Sequence, residues 1–133
     1  MLLQPKKVKY KKVKKGKLSK FCYKNVLHFG TIGLKATESG IITARQLESA
    51  RQAISRKIKK KGKLWIKIYP HIPITKKPQE VRMGKGKGNV SHWASKVRGG
   101  SILFEVCGIN KKTAIKAFIT GGAKLPIKTQ IFD

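Results

Sequence analysis

The stretch TARQLESARQAISRKIKKKGKLWIKIY, residues 43–69, carries a helix pattern followed at once by a strand pattern. Thr43 is a favoured N-cap residue, and Gln46 three positions on completes a capping box, in which the two side chains each take up a backbone N–H of the first turn. Leu47, Ala50, Ile54 and Ile58 recur at steps of three and four, which lays one apolar stripe along a helix. The spacing predicts a helix over residues 43–61. Gly62 is expected as its left-handed terminator, with Lys59, Lys60 and Lys61 at the negative end of the dipole. The period then changes to two. Leu64, Ile66 and Ile68 fall on one face of a strand, Trp65 and Tyr69 on the other. Aromatic rings beside lysines can stack on nucleobases, although packing beneath a neighbouring element is their commoner use.

Outward from this pair, residues 26–42 are rich in strand formers. They are broken by the turn signal Glu38-Ser39-Gly40, a pattern that suits a hairpin. Downstream, Pro70, Pro73 and Pro78 mark a stiff connection. A short strand is expected at Glu80–Met83, another at Val90–Val97, and a turn at Gly99-Gly100. Ser101–Cys107 reads as a strand with Ile102, Phe104 and Val106 on one side. Asn110 is placed to cap a second helix over residues 111–120, with Ala114, Ile115, Phe118 and Ile119 inward and Gly121-Gly122 ending it. Lys124–Phe132 contains Pro126 and alternating apolar residues, suited to a final edge strand. Strands come in groups instead of alternating strictly with helices. The expected fold is therefore α+β, two helices packed on a largely antiparallel sheet, with a basic extended arm in front.

That arm is residues 1–25, which hold ten lysines; residues 26–133 are expected to form one folded domain. Over the 133 residues, 32 Lys+Arg face 5 Asp+Glu, a formal charge of +27, while 40% of residues are hydrophobic. The apolar content supports a modest core. The charge opposes folding by self-repulsion and calls for a polyanionic partner, for which nucleic acid is the obvious class because neutralised phosphates release condensed counterions. The arm lacks the apolar stripe of an interfacial helix, and no apolar run approaches the ~20 residues that span a bilayer, so no membrane partner is expected. Cys22 and Cys107 are expected as free thiols. The scattered His28, His71 and His92 complete no metal-ligand spacing. Four of the acids, Glu38, Glu48, Glu80 and Glu105, read as solvated or charge-compensating groups. Neither a catalytic constellation nor a cofactor or small-molecule site is expected.

The segment Arg82-Met83-Gly84-Lys85-Gly86-Lys87-Gly88-Asn89 alternates glycine with lysine. Glycine there removes side-chain bulk and frees φ, which lets backbone amides come close to a phosphate. It is not a nucleotide-hydrolysing loop. Gly84 and Gly88 stand one residue too close for that motif, no Ser/Thr follows in register, and the chain beyond leads into a strand instead of a helix. On the first helix, Arg45, Arg51, Arg56 and Lys59 lie off the apolar stripe, where phosphate contact competes with plain solvation.

PITKKPQEVRMGKGKGN (residues 73–89), with GLKATESGIITARQLESARQAISRKIKKKGKLWIKIYP (33–70) upstream and ILFEVCGI (102–109) and AKLPIKTQ (123–130) downstream, closely resembles the bacterial-type large-subunit ribosomal protein sixteen family. The opening LLQPKKVKYKKVKKGK (2–17) resembles that family's start. Cys22–Leu27 replaces a more glycine-rich stretch of many members. The resemblance implies a structural, non-enzymatic constituent of the large ribosomal subunit at the base of the central protuberance, near the tRNA A site and the peptidyl-transferase region. Its implied partners are large-subunit rRNA, tRNA and neighbouring ribosomal proteins. Carried over by position, the arm lysines Lys6, Lys7, Lys9, Lys11, Lys12, Lys14, Lys15, Lys17 and Lys20 lie in rRNA, and Arg82–Asn89 is the loop directed at tRNA. The excess of Lys over Arg and the frequent isoleucine suit an AT-rich genome. This gives a ribosome of the mitochondrion as the first expectation, with a plastid or a bacterium as the alternative.

Overall fold

A computed structural model of the chain describes residues 4–18, 26–59 and 61–133. Its elements run β1 (Ile32–Ala36), β2 (Gly40–Thr43), α1 (Ala44–Ile58), β3 (Lys63–Ile66), β4 (Ile72–Lys76), β5 (Asn89–Val97), β6 (Ile102–Cys107), α2 (Lys111–Gly122) and β7 (Thr129–Phe132). The fold is α+β with every strand pairing antiparallel, as expected. The strands form two sheets: four strands in the order β3-β6-β1-β7, and three in the order β2-β5-β4. α2 lies against β1 and β7, α1 against β2 and β5, and the two helices pack on each other.

α1 follows its sequence closely. The Thr43 hydroxyl accepts from the Gln46 amide at 3.3 Å, and the Gln46 side chain accepts from the Thr43 amide at 2.9 Å. Leu47, Ala50, Ile54 and Ile58 are all buried. The helix ends earlier than expected, because Lys59 and not Gly62 takes the left-handed turn, with φ of 52°. Gly62 serves the next step. It has φ of +94°, and a Cβ there would stand 2.4 Å from the Cys107 carbonyl oxygen, so only glycine lets the chain enter β3 this close to β6.

The expected β1–β2 hairpin does not form. β1 pairs with β6 and β7, whereas β2 pairs with β5, so the Glu38-Ser39 turn carries the chain from one sheet to the other. The proline-marked connection contains β4, which tolerates Pro73 because it is the outer strand of its sheet and one lost donor leaves no central ladder broken. Glu80–Met83 is not a strand. Val81 turns back to the Pro78 carbonyl at 3.4 Å, and Met83 is 99% exposed.

Register builds the core in rows. Leu34 lies opposite Phe104 and Ile131, and Ile66 lies opposite Phe104, so four strands contribute one apolar line. Phe104 and Phe118 are fully buried at its centre. The second helix differs in its inward face. Ala114, Ala117, Phe118 and Gly121 are buried, while Ile119, expected inward, is 63% exposed. The small residues decide this. A Cβ on Gly121 would lie 2.4 Å from Ile54 Cγ1, so the side of α2 with the least bulk turns toward α1, and the helix runs on through both glycines.

β6 departs from simple alternation. Phe104 and Val106 lie in the core as expected, but an irregularity in the β1–β6 register brings Leu103 into the core with them and turns Ile102 to the other side, where Glu105 is also fully buried. Residues 26–31 cross the far side of that sheet, beside Ile102 and Glu105: a Cβ on Gly30 would meet Glu105 and Val106, and one on Gly33 would meet Leu27 and Ile102. Glu105 is therefore not a solvated compensator. Its Oε2 accepts backbone N–H groups from His28 (3.3 Å), Phe29 (2.7 Å) and Gly30 (2.9 Å).

Candidate nucleic-acid interface

The described part of the arm is exposed and runs past the glycine–lysine loop. At one end the Tyr69 hydroxyl donates to the Gln4 carbonyl at 2.8 Å. In the middle the Lys12 ammonium donates to the Lys87 carbonyl at 2.7 Å, and the Lys87 ammonium donates back to the Val13 carbonyl. Further on, Gly16 passes close to Lys96 of β5; an added Cβ would be 3.0 Å from its Nζ. Lys6, Lys7, Lys9, Lys11, Lys12, Lys14, Lys15 and Lys17 thus stand on a segment tied to the loop; Lys20 lies outside the described residues.

The loop's shape follows from its composition. Gly84 and Gly86 have φ of +94° and +86°, and nothing lies within 4 Å of where a Cβ would sit, so they are glycines for conformation and not for space. Lys85 between them is also left-handed, at φ of 50°. Gly88 is different: a Cβ there would meet the Lys76 carbonyl oxygen at 2.7 Å, where the loop rejoins the β4–β5 pair. The Lys77 ammonium donates to the Gly84 carbonyl and braces the tip. Arg82, Met83, Lys85 and Lys87 are exposed, and Glu80 is the one acid between β4 and β5. Two cationic segments distant in sequence are thus held together through their own carbonyls, with almost no acid to offset them.

The helix cations divide. Arg51, Arg56 and Lys59 line one shallow groove with Gln52 and Ser55. Arg45 stands apart at the start of α1, in a hollow lined also by Gln4, Ser91, His92 and Trp93. Arg51 Nε and Nη2 donate to the two oxygens of Glu48 at 3.0 and 2.7 Å, which leaves three of its five N–H groups for another acceptor. That hydrogen bond holds the Glu48 carboxyl below its ordinary pKa and raises Arg51 in turn. Glu38 accepts the Lys128 amide at 2.9 Å, another acid with a structural task.

Sequence reasoning missed Lys77, Lys96 and the Tyr69–Gln4 hydrogen bond, since each depends on where the arm lies and no local pattern signals that. No helix among the described residues is long and apolar enough to cross a membrane.

An α+β body with a basic arm laid along a glycine–lysine loop is the build of a nucleic-acid-binding structural protein. A family model described as Ribosomal protein L16p/L10e matches residues 5–132, and the chain belongs to that family, a structural and non-enzymatic one. It is 50% identical over 131 residues to the large ribosomal subunit protein uL16 of Acinetobacter baumannii (strain SDF), covering 98% of this chain and 96% of that protein. The same figures hold for the uL16 of Acinetobacter baylyi (strain ATCC 33305 / BD413 / ADP1).

Proposed function

We propose that this protein is a structural constituent of the large ribosomal subunit that binds large-subunit rRNA and supports tRNA near the A site during translation. Residues 1–25 act as the rRNA-binding arm, with Arg45, Arg51, Arg56 and Lys59 of α1 as further phosphate contacts, and 26–133 as the body. Residues 82–89 face tRNA. One observation carries the reading: Lys12 and Lys87 clasp the arm to the loop, concentrating positive charge where Glu80 is the one acid in the β4–β5 connection. A phosphodiester backbone relieves that repulsion. Neighbouring ribosomal proteins are the remaining partners. For compartment, lysine and isoleucine usage supports a mitochondrial ribosome, while the relatives named above are bacterial and support the alternative.

The test is tRNA affinity over a salt titration in reconstituted particles, with Lys85→Ala/Lys87→Ala beside the parent. The magnitude of the salt slope should fall by up to about 2 in the double variant if both lysines meet phosphates. Because both side chains are exposed, thermal stability should stay within about 0.5 kcal/mol and incorporation should survive. Equal slopes and affinities would remove the loop from the mechanism.

A further inference from the structure

The aromatic face of β3 meets an unexpected partner. Trp65 is half-buried because the Phe29 ring lies on it, with centroids 6.0 Å apart and planes inclined by 21°. Phe29 itself is 59% exposed, and the His28 ring stands 6.4 Å away. The Lys67 ammonium lies 4.5 Å from the Phe29 centroid. Lys63, Trp65 and Lys67 alternate along one face of the chain.

This shelf is held in place from below. Glu105, with no exposed surface, accepts the amides of His28, Phe29 and Gly30, which fixes the backbone that carries the ring. Its other oxygen, Oε1, is buried without a hydrogen bond and has Lys67 Nζ 3.6 Å away. The buried carboxylate therefore draws Lys67 toward Phe29 as well. A loosely attached surface aromatic would need none of this. The other four acids lie elsewhere: Glu38 on the Lys128 amide, Glu48 on Arg51, Glu80 between β4 and β5, and Asp133 beyond β7, at the opposite edge of the sheet from β3.

The geometry points to a stacking shelf for one unpaired RNA base: Phe29, backed by Trp65 and with Lys67 over its ring, takes the base on its exposed surface, and Glu105 is the positioning residue. A flat π surface beside cations matches a nucleobase with its phosphate, which an apolar protein side chain does not offer. The shelf rests on the reading of this protein as an RNA binder, and it adds base contact to what is otherwise phosphate contact.

The test compares the full chain's affinity for single-stranded oligoadenylate with that for an abasic strand of equal length and charge. The parent should prefer the strand with bases by about 5- to 100-fold. Phe29→Ala and Phe29→Leu should both lose most of that preference, with unchanged affinity for the abasic strand and unchanged salt slope; Phe29→Tyr should keep it. Leucine preserves apolar contact with Trp65, so a failure of the alanine variant to fold leaves the test standing. If Phe29→Leu keeps the parent's preference, the shelf is overturned. If neither strand binds at all, the RNA-binding reading fails with it. In assembled subunits, a photo-reactive Phe29→p-benzoylphenylalanine should label RNA; a label carried to a neighbouring protein would overturn the proposal.

Discussion

Replacing the eight lysines from Lys6 to Lys17 with glutamine is expected to lower affinity for large-subunit rRNA by about three to five orders of magnitude at physiological salt. Each phosphate neutralised contributes about 0.7–0.9 to the slope of log affinity against log salt, so the loss of most of these contacts should flatten that slope by about 5. The body should keep its fold, since the arm's ties to it, at Tyr69, Lys87 and Lys96, lie outside the core. Filter binding across a salt series measures both quantities. A drop in affinity with an unchanged slope would mean that the lysines act on the shape of the chain and not on phosphates.

The second large effect is expected at Glu105. Glu105→Ala should destabilise the body by about 3–5 kcal/mol, because three amides lose a charged acceptor and a buried pair with Lys67 is broken. Urea unfolding of the full chain in moderate salt reads it. Glu105→Gln should cost less, as it keeps an acceptor oxygen but not the charge. Burial pushes the Glu105 carboxyl up, but the amides of Phe29, Gly30 and His28 and the charge of Lys67 outweigh it and hold its pKa below the ordinary 4.5. A depressed folded-state value stabilises the fold above the unfolded pKa. The parent should therefore hold this contribution above about pH 4.5 and lose it as pH falls toward the lower folded-state value. Glu105→Gln should lose less across the same window, with Glu48 supplying a change of the same sign.

Local signals were legible in the residues and long-range ones were not. The capping box and the Leu47–Ile58 stripe each depend on neighbours a few positions away, and each appears in the structure; the shared face of Phe104 and Val106 appears too, but Ile102 leaves it where the β1–β6 register shifts. The β1–β2 hairpin failed because the sequence marks a turn but not which strand the chain meets after it. Glu105 looked like any other acid because its three amide partners are more than seventy residues away in the chain. Ile119 turned outward because Ala117 and Gly121, small and easily overlooked, let the helices close on Ile54. For the candidate interface, the arm and the loop were both visible as charge patterns. Their contact through Lys12 and Lys87 was not, since like charges give no reason to expect two segments to meet until their carbonyls are counted as acceptors. Phe29 went unnoticed because its partners, Trp65 and Lys67, are more than thirty residues away in the chain.

A density map of the large subunit carrying this chain tests the central claim most directly. The account predicts Lys6–Lys17 and the tip of the 82–89 loop on one continuous face, with most of the lysine ammonium groups within ion-pair distance of rRNA phosphates and the loop tip turned toward the tRNA site. An arm directed into solvent, or a face covered by protein with no phosphodiester chain beside it, would contradict it.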